Sequence, residues 1–207
     1  MMGNLAKRYA VNESFLSLQG EGLRSGEVSI FLRFTGCNLR CSGQVIDQAF
    51  QPICDTEFIS STSLTADQII EQLKQIGGAC RWIVLTGGEP TQQLDDQLIA
   101  TLKIAGYKLA IETNGTNLVP VGIDWITVSP KIAEHAIKQR TATEVKYVRG
   151  YGQGVPRTVV KADYYLISPA FDGSSLDPQT LAWCIKLCKE NPTWRLSVQQ
   201  HKGWFVR

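Results

Sequence analysis

Short runs rich in β-branched and aromatic residues recur along this chain, and each breaks off at a polar or glycine-rich loop. Val28–Phe34 (VSIFLRF), Trp82–Leu85 (WIVL), Leu109–Glu112, Asp124–Val128, Thr143–Val148, Tyr164–Ile167 and Arg195–Gln199 all read as strands. The wholly apolar WIVL is what a parallel strand covered on both faces looks like. Three helices lie between such runs. Thr65–Ile76 has Thr65 at its cap with Gln68 three residues on, a stripe of Ile69, Ile70, Leu73 and Ile76, and Gly77-Gly78 as a stop. Leu94–Ala105 is halted by Gly106, and a third helix starts at Asp177 with Pro178 in first position and closes at Asn191-Pro192. Alternating strands and helices predict βα units around a parallel sheet. Six to seven strands fit, fewer than the eight of a closed barrel. The expected fold is therefore α/β, a partial, open βα barrel, formed as a single domain over residues 1–207 with no internal repeat. Residues 9–18 read as mixed and only partly extended.

The chemistry is concentrated in one loop after the first of these strands. Cys37, Cys41 and Cys54 stand there without a histidine among them. Three thiolates can bind three irons of a [4Fe–4S] cluster and leave the fourth open to a small molecule. A closed structural metal site would ask for a fourth ligand. Cys184 and Cys188 share the helical stripe with Leu181 and Ile185 and read as core, as does Cys80 just before a strand. Residues 42–53 read as an irregular excursion between two ligands.

Other loops add possible contacts. Gln19-Gly20-Glu21-Gly22 is a surface turn on turn chemistry alone, or a backbone that approaches a ligand closely. Thr86-Gly87-Gly88-Glu89-Pro90 follows a buried strand with exposed N–H groups and no side-chain bulk at its glycines, and such a loop could hold a carboxylate or an amino group. Arg33 lies among apolar neighbours and needs a partner if it points inward. A formal net charge of +2 gives no basic face for nucleic acid, and no run has membrane-spanning length or the look of a signal peptide, so a cytoplasmic setting is expected.

Taken together the motifs resemble the radical S-adenosylmethionine (SAM) superfamily and, within it, the 7-carboxy-7-deazaguanine synthase family. The resemblance rests on FxxLQGEG at Phe15–Gly22, RFxGCNL at Arg33–Leu39, CDT at Cys54–Thr56, TGGEP at Thr86–Pro90, ETNGT at Glu112–Thr116, VSPK at Val128–Lys131 and WRLSVQxHK at Trp194–Lys202. It implies a [4Fe–4S] cluster on Cys37, Cys41 and Cys54. It implies SAM seated by Ile53, Cys54, Asp55, Gly88, Ser129, Pro130, Lys131, Ser168 and Pro169, and Mg²⁺ on Thr56. Leu18, Gln19, Gly20, Arg33, Thr86, His201 and the terminal carboxylate of Arg207 would contact a pterin. The implied reaction is ring contraction of 6-carboxy-5,6,7,8-tetrahydropterin to 7-carboxy-7-deazaguanine with loss of ammonia, in queuosine-type 7-deazapurine biosynthesis. A homodimer and an electron donor such as flavodoxin or ferredoxin are implied as well. The spacing departs from the superfamily's C-x3-C-x2-C: twelve residues separate Cys41 from Cys54. In expanded loops of the family that end in C-x2-C, the second cysteine would fall where this chain has Gln51. Cys37 and Cys54 serve either alignment, and Cys41 is the remaining candidate. The alternatives are a radical SAM activase of a glycyl-radical partner and a zinc-stabilised module.

Overall fold

The computed structural model describes residues 6–42, 45–46, 49–50, 54, 59–173 and 175–206. The chain opens with β1 (Arg8–Leu18), β2 (Val28–Phe34) and, inside the cysteine loop, a minimal antiparallel hairpin of β3 (Val45–Ile46) and β4 (Ala49–Phe50). Then come β5 (Thr62–Thr65), α1 (Ala66–Gly77), β6 (Trp82–Gly87), α2 (Asp96–Ile104), β7 (Lys108–Thr113) and β8 (Trp125–Val128). The last elements are β9 (Thr141–Arg149), β10 (Lys161–Pro169), α3 (Pro178–Glu190), β11 (Trp194–Leu196) and α4 (Gln200–Trp204).

The main sheet has nine strands in the order β11-β10-β9-β8-β7-β6-β2-β1-β5. From β2 to β11 every neighbouring pair is parallel, which makes the parallel run that the sequence predicts. Beyond it, β1 lies antiparallel on β2, and β5 antiparallel on β1. The stretch that reads as only partly extended is thus one strand of 11 residues. Only the β2–β6, β6–β7 and β10–β11 crossings carry an α-helix; the three connections between β7 and β10 run as loops and a short 3₁₀ turn.

Side-chain alternation divides the sheet into an apolar outer face and a polar inner one. Ile30, Leu32, Phe34, Ile83, Leu85, Leu109 and Ile111 point outward and pack with Ile69, Leu73, Leu98 and Leu102 from α1 and α2. Val128, Val145, Tyr147 and Ile167 form a second core with Cys184 and Leu187 of α3. Cys80 and Cys188 pack against these cores, as their apolar surroundings in sequence suggest. The capping box on α1 is present, with the Thr65 hydroxyl accepting from the Gln68 N–H. Helix α2 begins two residues later than its apolar stripe suggests, because Asp95 caps it by accepting from the Leu98 N–H. The last strand ends at Leu196 rather than Gln199: the Ser197 N–H makes a last bond to the Ile167 carbonyl (2.9 Å), and Gln199 heads α4.

Candidate active site

A sheet that does not close leaves a gap between its β1 side and its β11 edge, and the Gln19–Ser25 loop fills it. Because β1 is antiparallel, this loop lies at the amino ends of the parallel strands and spans toward the segment after β11. The Gly22 N–H donates to Ser197 Oγ (2.9 Å), the Gln200 N–H to the Gly20 carbonyl (2.9 Å), and Gln199 Nε2 to Glu21 Oε1 (2.8 Å). Both glycines of QGEG are needed for this approach. A Cβ on Gly20 would lie 2.3 Å from His201 Nδ1. One on Gly22, whose φ is +68°, would lie 2.2 Å from Glu144 Oε1. The sequence shows QGEG as a turn; the structure makes it half of a seam.

Behind the seam is a cavity of about 740 Å³ lined by inner-face side chains. Leu18, Gln19, Gly20, Arg33, Thr86 and His201 all border it, as do Ser129, Lys131, Ser168, Pro169 and Cys54. Its aromatic wall is Phe15 stacked on Phe31, with centroids 5.2 Å apart and planes 7° apart. Arg33 is ion-paired inward, its Nε 3.4 Å from Glu13 Oε1 and its guanidinium carbon 5.4 Å from the Phe15 ring centroid, but that Nε is buried without a hydrogen bond among the described residues. Pro130 is buried beside this lining. Ile53, Asp55, Thr56 and Arg207 lie outside the described residues.

The cysteine loop starts at the carboxyl end of β2 and is pinned to its neighbours. Gly88 N–H donates to the Phe34 carbonyl (3.0 Å) and Glu89 N–H to that of Gly36 (2.8 Å). These two donors are therefore spent on the protein, so the GGEP loop does not offer them to a ligand; what it can offer an amino group is acceptors. Glu89 is buried, and its carboxylate accepts from the Thr91 N–H and hydroxyl, the Thr113 hydroxyl (2.7 Å) and the Asn114 N–H (2.7 Å). Asn114 in turn donates to Asn38 Oδ1 (3.0 Å), next to Cys37, and Asn38 donates to the Thr116 hydroxyl (2.8 Å). The motifs after β2, β6 and β7 form one hydrogen-bonded block.

Cys37 and Cys41 are half-buried and Cys54 is exposed. Burial pushes the Cys37 and Cys41 thiols up, and both are raised further by Cys54. Cys41 is also raised by Cys37, so the structure brings Cys41 into the neighbourhood of the other two. Among the described residues no three acidic, cysteine or histidine side chains converge as on a single metal ion. Three soft thiols in one loop, of which Cys54 lines the cavity, are a donor set for an iron–sulfur cluster, whose charge would hold them deprotonated.

A group of buried charges lies on the inner face, joining Glu21 and Glu112 of two motifs to Lys146 and Glu144, which no motif announces. Lys146 of β9 is 8% exposed and ion-pairs with Glu21 and, at 3.4 Å, with Glu112 of β7. Glu144, two residues before it, accepts from the Leu23 N–H (3.0 Å) and the Thr127 hydroxyl (2.9 Å). Burial favours the neutral Glu21, but the adjoining Lys146 ammonium outweighs it and holds that carboxyl at about 2. At Glu112 burial prevails, helped by Glu21 and Glu144, and the carboxyl is pushed up to about 7. Burial works against the Lys146 charge, yet Glu112 and Glu21 raise it above an ordinary lysine. Lys131, bonded to Ser129 Oγ (2.5 Å), is lowered to about 8 by burial and then by Lys146.

Comparison with known proteins assigns this arrangement. The radical SAM superfamily model matches residues 32–149, the span from β2 through β9. The chain is thus a member of the radical SAM superfamily. A protein of Caulobacter vibrioides named 7-carboxy-7-deazaguanine synthase is 40% identical over 207 residues, covering 94% of this chain and 97% of its own. Relatives of the same name from Bradyrhizobium diazoefficiens and Burkholderia multivorans are 40% and 41% identical, covering 96% and 94% of this chain and 99% and 97% of their own. The crystal structure of QueE from Escherichia coli superposes with a TM-score of 0.68 at 25% identity, covering 94% of this chain and 95% of that one. The chain belongs to the 7-carboxy-7-deazaguanine synthase family.

Proposed function

We propose that this protein converts 6-carboxy-5,6,7,8-tetrahydropterin to 7-carboxy-7-deazaguanine and ammonia. The observation that carries the reading, in a chain of this family, is the cavity. It joins the Cys54 thiol to a wall made for a flat, polar heterocycle: stacked Phe15 and Phe31, with Arg33, Thr86 and His201 around them. Its volume of about 740 Å³ falls within the range of small-molecule sites.

Cys37, Cys41 and Cys54 hold the cluster in this reading. Gly88, Ser129–Lys131, Ser168, Pro169 and the Ile53–Asp55 segment hold SAM. Bound there, cluster and SAM supply a one-electron reduction and a hydrogen-abstracting radical. The chain's own residues place the substrate and exclude water. Phe15 and Phe31 offer a face for the ring. Arg33 presents a planar fork of donors to the carboxylate or carbonyl oxygens. Gln19, Gly20 and His201 close the opposite side. Thr56 completes a Mg²⁺ site with oxygens of the substrate, a donor set suited to that hard cation. The protein works as a homodimer and draws electrons from a flavodoxin or ferredoxin.

The test is anaerobic turnover of reconstituted protein with reductant, SAM, Mg²⁺ and the pterin, quantifying 5′-deoxyadenosine and the deazapurine together. Both are expected, and both are expected to vanish, with loss of bound iron, in Cys37→Ala, Cys41→Ala and Cys54→Ala. A Cys41→Ala protein that keeps its iron and both products would remove that ligand from the set. 5′-Deoxyadenosine without the deazapurine would show the substrate to be wrong.

A further inference from the structure

We propose that Glu112 is a catalytic residue, the acceptor that takes a carbon-bound proton during ring contraction and returns it to the departing nitrogen, with Lys146 and Glu21 positioning it. This rests on the function proposed above.

The reaction's own balance asks for such a group. Tetrahydropterin to deazaguanine plus ammonia involves no net gain or loss of electrons. The nitrogen leaves with one hydrogen of its own and two that were on carbon: one is the hydrogen atom that the radical step removes and later hands back, and the other comes off as a proton. After the skeleton has rearranged, a C–H bond breaks, its electron pair becomes part of the new aromatic ring, and the C–N pair departs with nitrogen. The proton must be taken up and then delivered, so one group able to do both is enough.

The cavity's ionisable groups differ in their freedom to do this. Arg33 is a guanidinium with donors only and no acceptor. Lys146 lies between two carboxylates and is held charged. Lys131 is tied to the Ser129 hydroxyl and carbonyl. Glu144 is buried under the seam loop with both oxygens bonded. Glu21 is clamped by Lys146 on one oxygen and by Gln199 on the other. Glu112 is different. Its two contacts, from Lys146 to Oε2 and from Gln19 Nε2 to Oε1, are both 3.4 Å, at the outer limit of a hydrogen bond. Its side chain is 22% exposed, and it borders the cavity. It is the carboxylate of the array with bonding capacity left for a substrate.

The surroundings tune it to the task. Burial disfavours its charged form most, against the pull of Lys146, and Glu21 from the seam loop and Glu144 from the same strand as Lys146 add to it, so the proton leaves Glu112 only at about 7. A carboxyl poised there accepts and returns a proton at neutral pH, which an ordinary glutamate does poorly. Below that value Glu112 is protonated and cannot accept. Product formation should therefore rise with pH through an acid limb near neutrality, and removing Lys146, whose charge lowers Glu112, should move that limb to higher pH.

The experiment uses the loaded enzyme under anaerobic conditions with the tetrahydropterin. In Glu112→Gln, substrate-dependent 5′-deoxyadenosine formation is expected to persist within a few-fold of wild type, since radical initiation does not need this carboxylate. Deazapurine per 5′-deoxyadenosine should fall roughly 10²-fold, the scale of one general acid–base group. Glu112→Asp, which keeps a carboxylate but draws it back, should recover part of the coupling. Lys146→Met should keep the acid limb but displace it upward. Infrared titration should show a protonated-carboxyl band that disappears near neutral pH in wild type and is absent in Glu112→Gln, a readout independent of turnover. Wild-type coupling and an unchanged acid limb in Glu112→Gln would overturn the proposal and pass the role to His201. Loss of substrate-dependent SAM cleavage along with product in both Glu112 variants would overturn it too, making Glu112 a binding group. A wild type that yields no deazapurine would instead remove the reaction on which the proposal stands.

Discussion

The Glu89 carboxylate accepts four hydrogen bonds from two neighbouring loops, and the cavity lining does not include it. Its role is to lock the loop after β6 to the loop after β7, and through Asn114 to Asn38 beside the first cysteine. Glu89→Gln keeps the shape but sets an NH₂ against groups that are themselves donors. A buried donor left unpaired costs about 1–3 kcal/mol. The expected outcome is an unfolding free energy lower by that amount, read from the denaturant transition, and weaker retention of iron, measured on protein purified without oxygen. An unchanged iron content would show that the cysteine loop holds its position without the staple. Gly88 is constrained in the same block, since a Cβ there would lie 1.9 Å from the Gly36 carbonyl oxygen. In sequence, GGEP shows a tight turn with possible ligand donors. It does not show that two of those donors and the carboxylate are spent on the protein, because their partners lie about 50 and 25 positions away.

Single elements were most legible where local chemistry alone decides them. The α1 capping box is written in Thr65 and Gln68, and the structure contains both of its hydrogen bonds. Thr65→Ala removes one of them and should cost about 1 kcal/mol, read as a shift in denaturant midpoint without loss of turnover. A shift of several times that size would mean that the β5–α1 junction also holds the cysteine loop. β5, with the polar sequence TSLT, carries no strand signal of its own and is ordered by pairing with β1. The mixed residues of β1 gain their meaning from that sheet context too. The Glu144–Lys146 pair could have been found: residues two apart on a strand share a face, and Val145 between them and Tyr147 after them face the other way in TEVKYV. An inward charge on a strand buried on its other face marks a polar barrel interior. Glu112 at the end of LAIE carries the same mark.

At the scale of the whole molecule, the open barrel is closed by a seam rather than by a strand. Its two sides are the loop after β1 and the segment after β11, nearly the full chain length apart, so no local pattern could reveal that they meet. That distance explains why LQGEG and QxHK identify the family yet have no visible reason when each is read alone. The seam ties cavity closure to a single backbone approach, and Gly20 is where it is tightest. Gly20→Ala places a methyl group within 2.3 to 2.7 Å of the Nδ1, Cβ and Cγ atoms of His201. Because the clash reaches the His201 Cβ as well as the ring, a rotation of the imidazole alone does not relieve it, and α4 must move outward. The cysteine block lies on the other side of the cavity and keeps its hydrogen bonds. Gly20→Ala should therefore bind iron normally and retain slow substrate-independent cleavage of SAM. Its KM for the pterin should rise at least tenfold, and the 197–206 segment should be cut faster by protease. A variant with normal KM and normal protease resistance would show that the seam yields elsewhere, with the Gln19–Ser25 loop, rather than α4, absorbing the added methyl group.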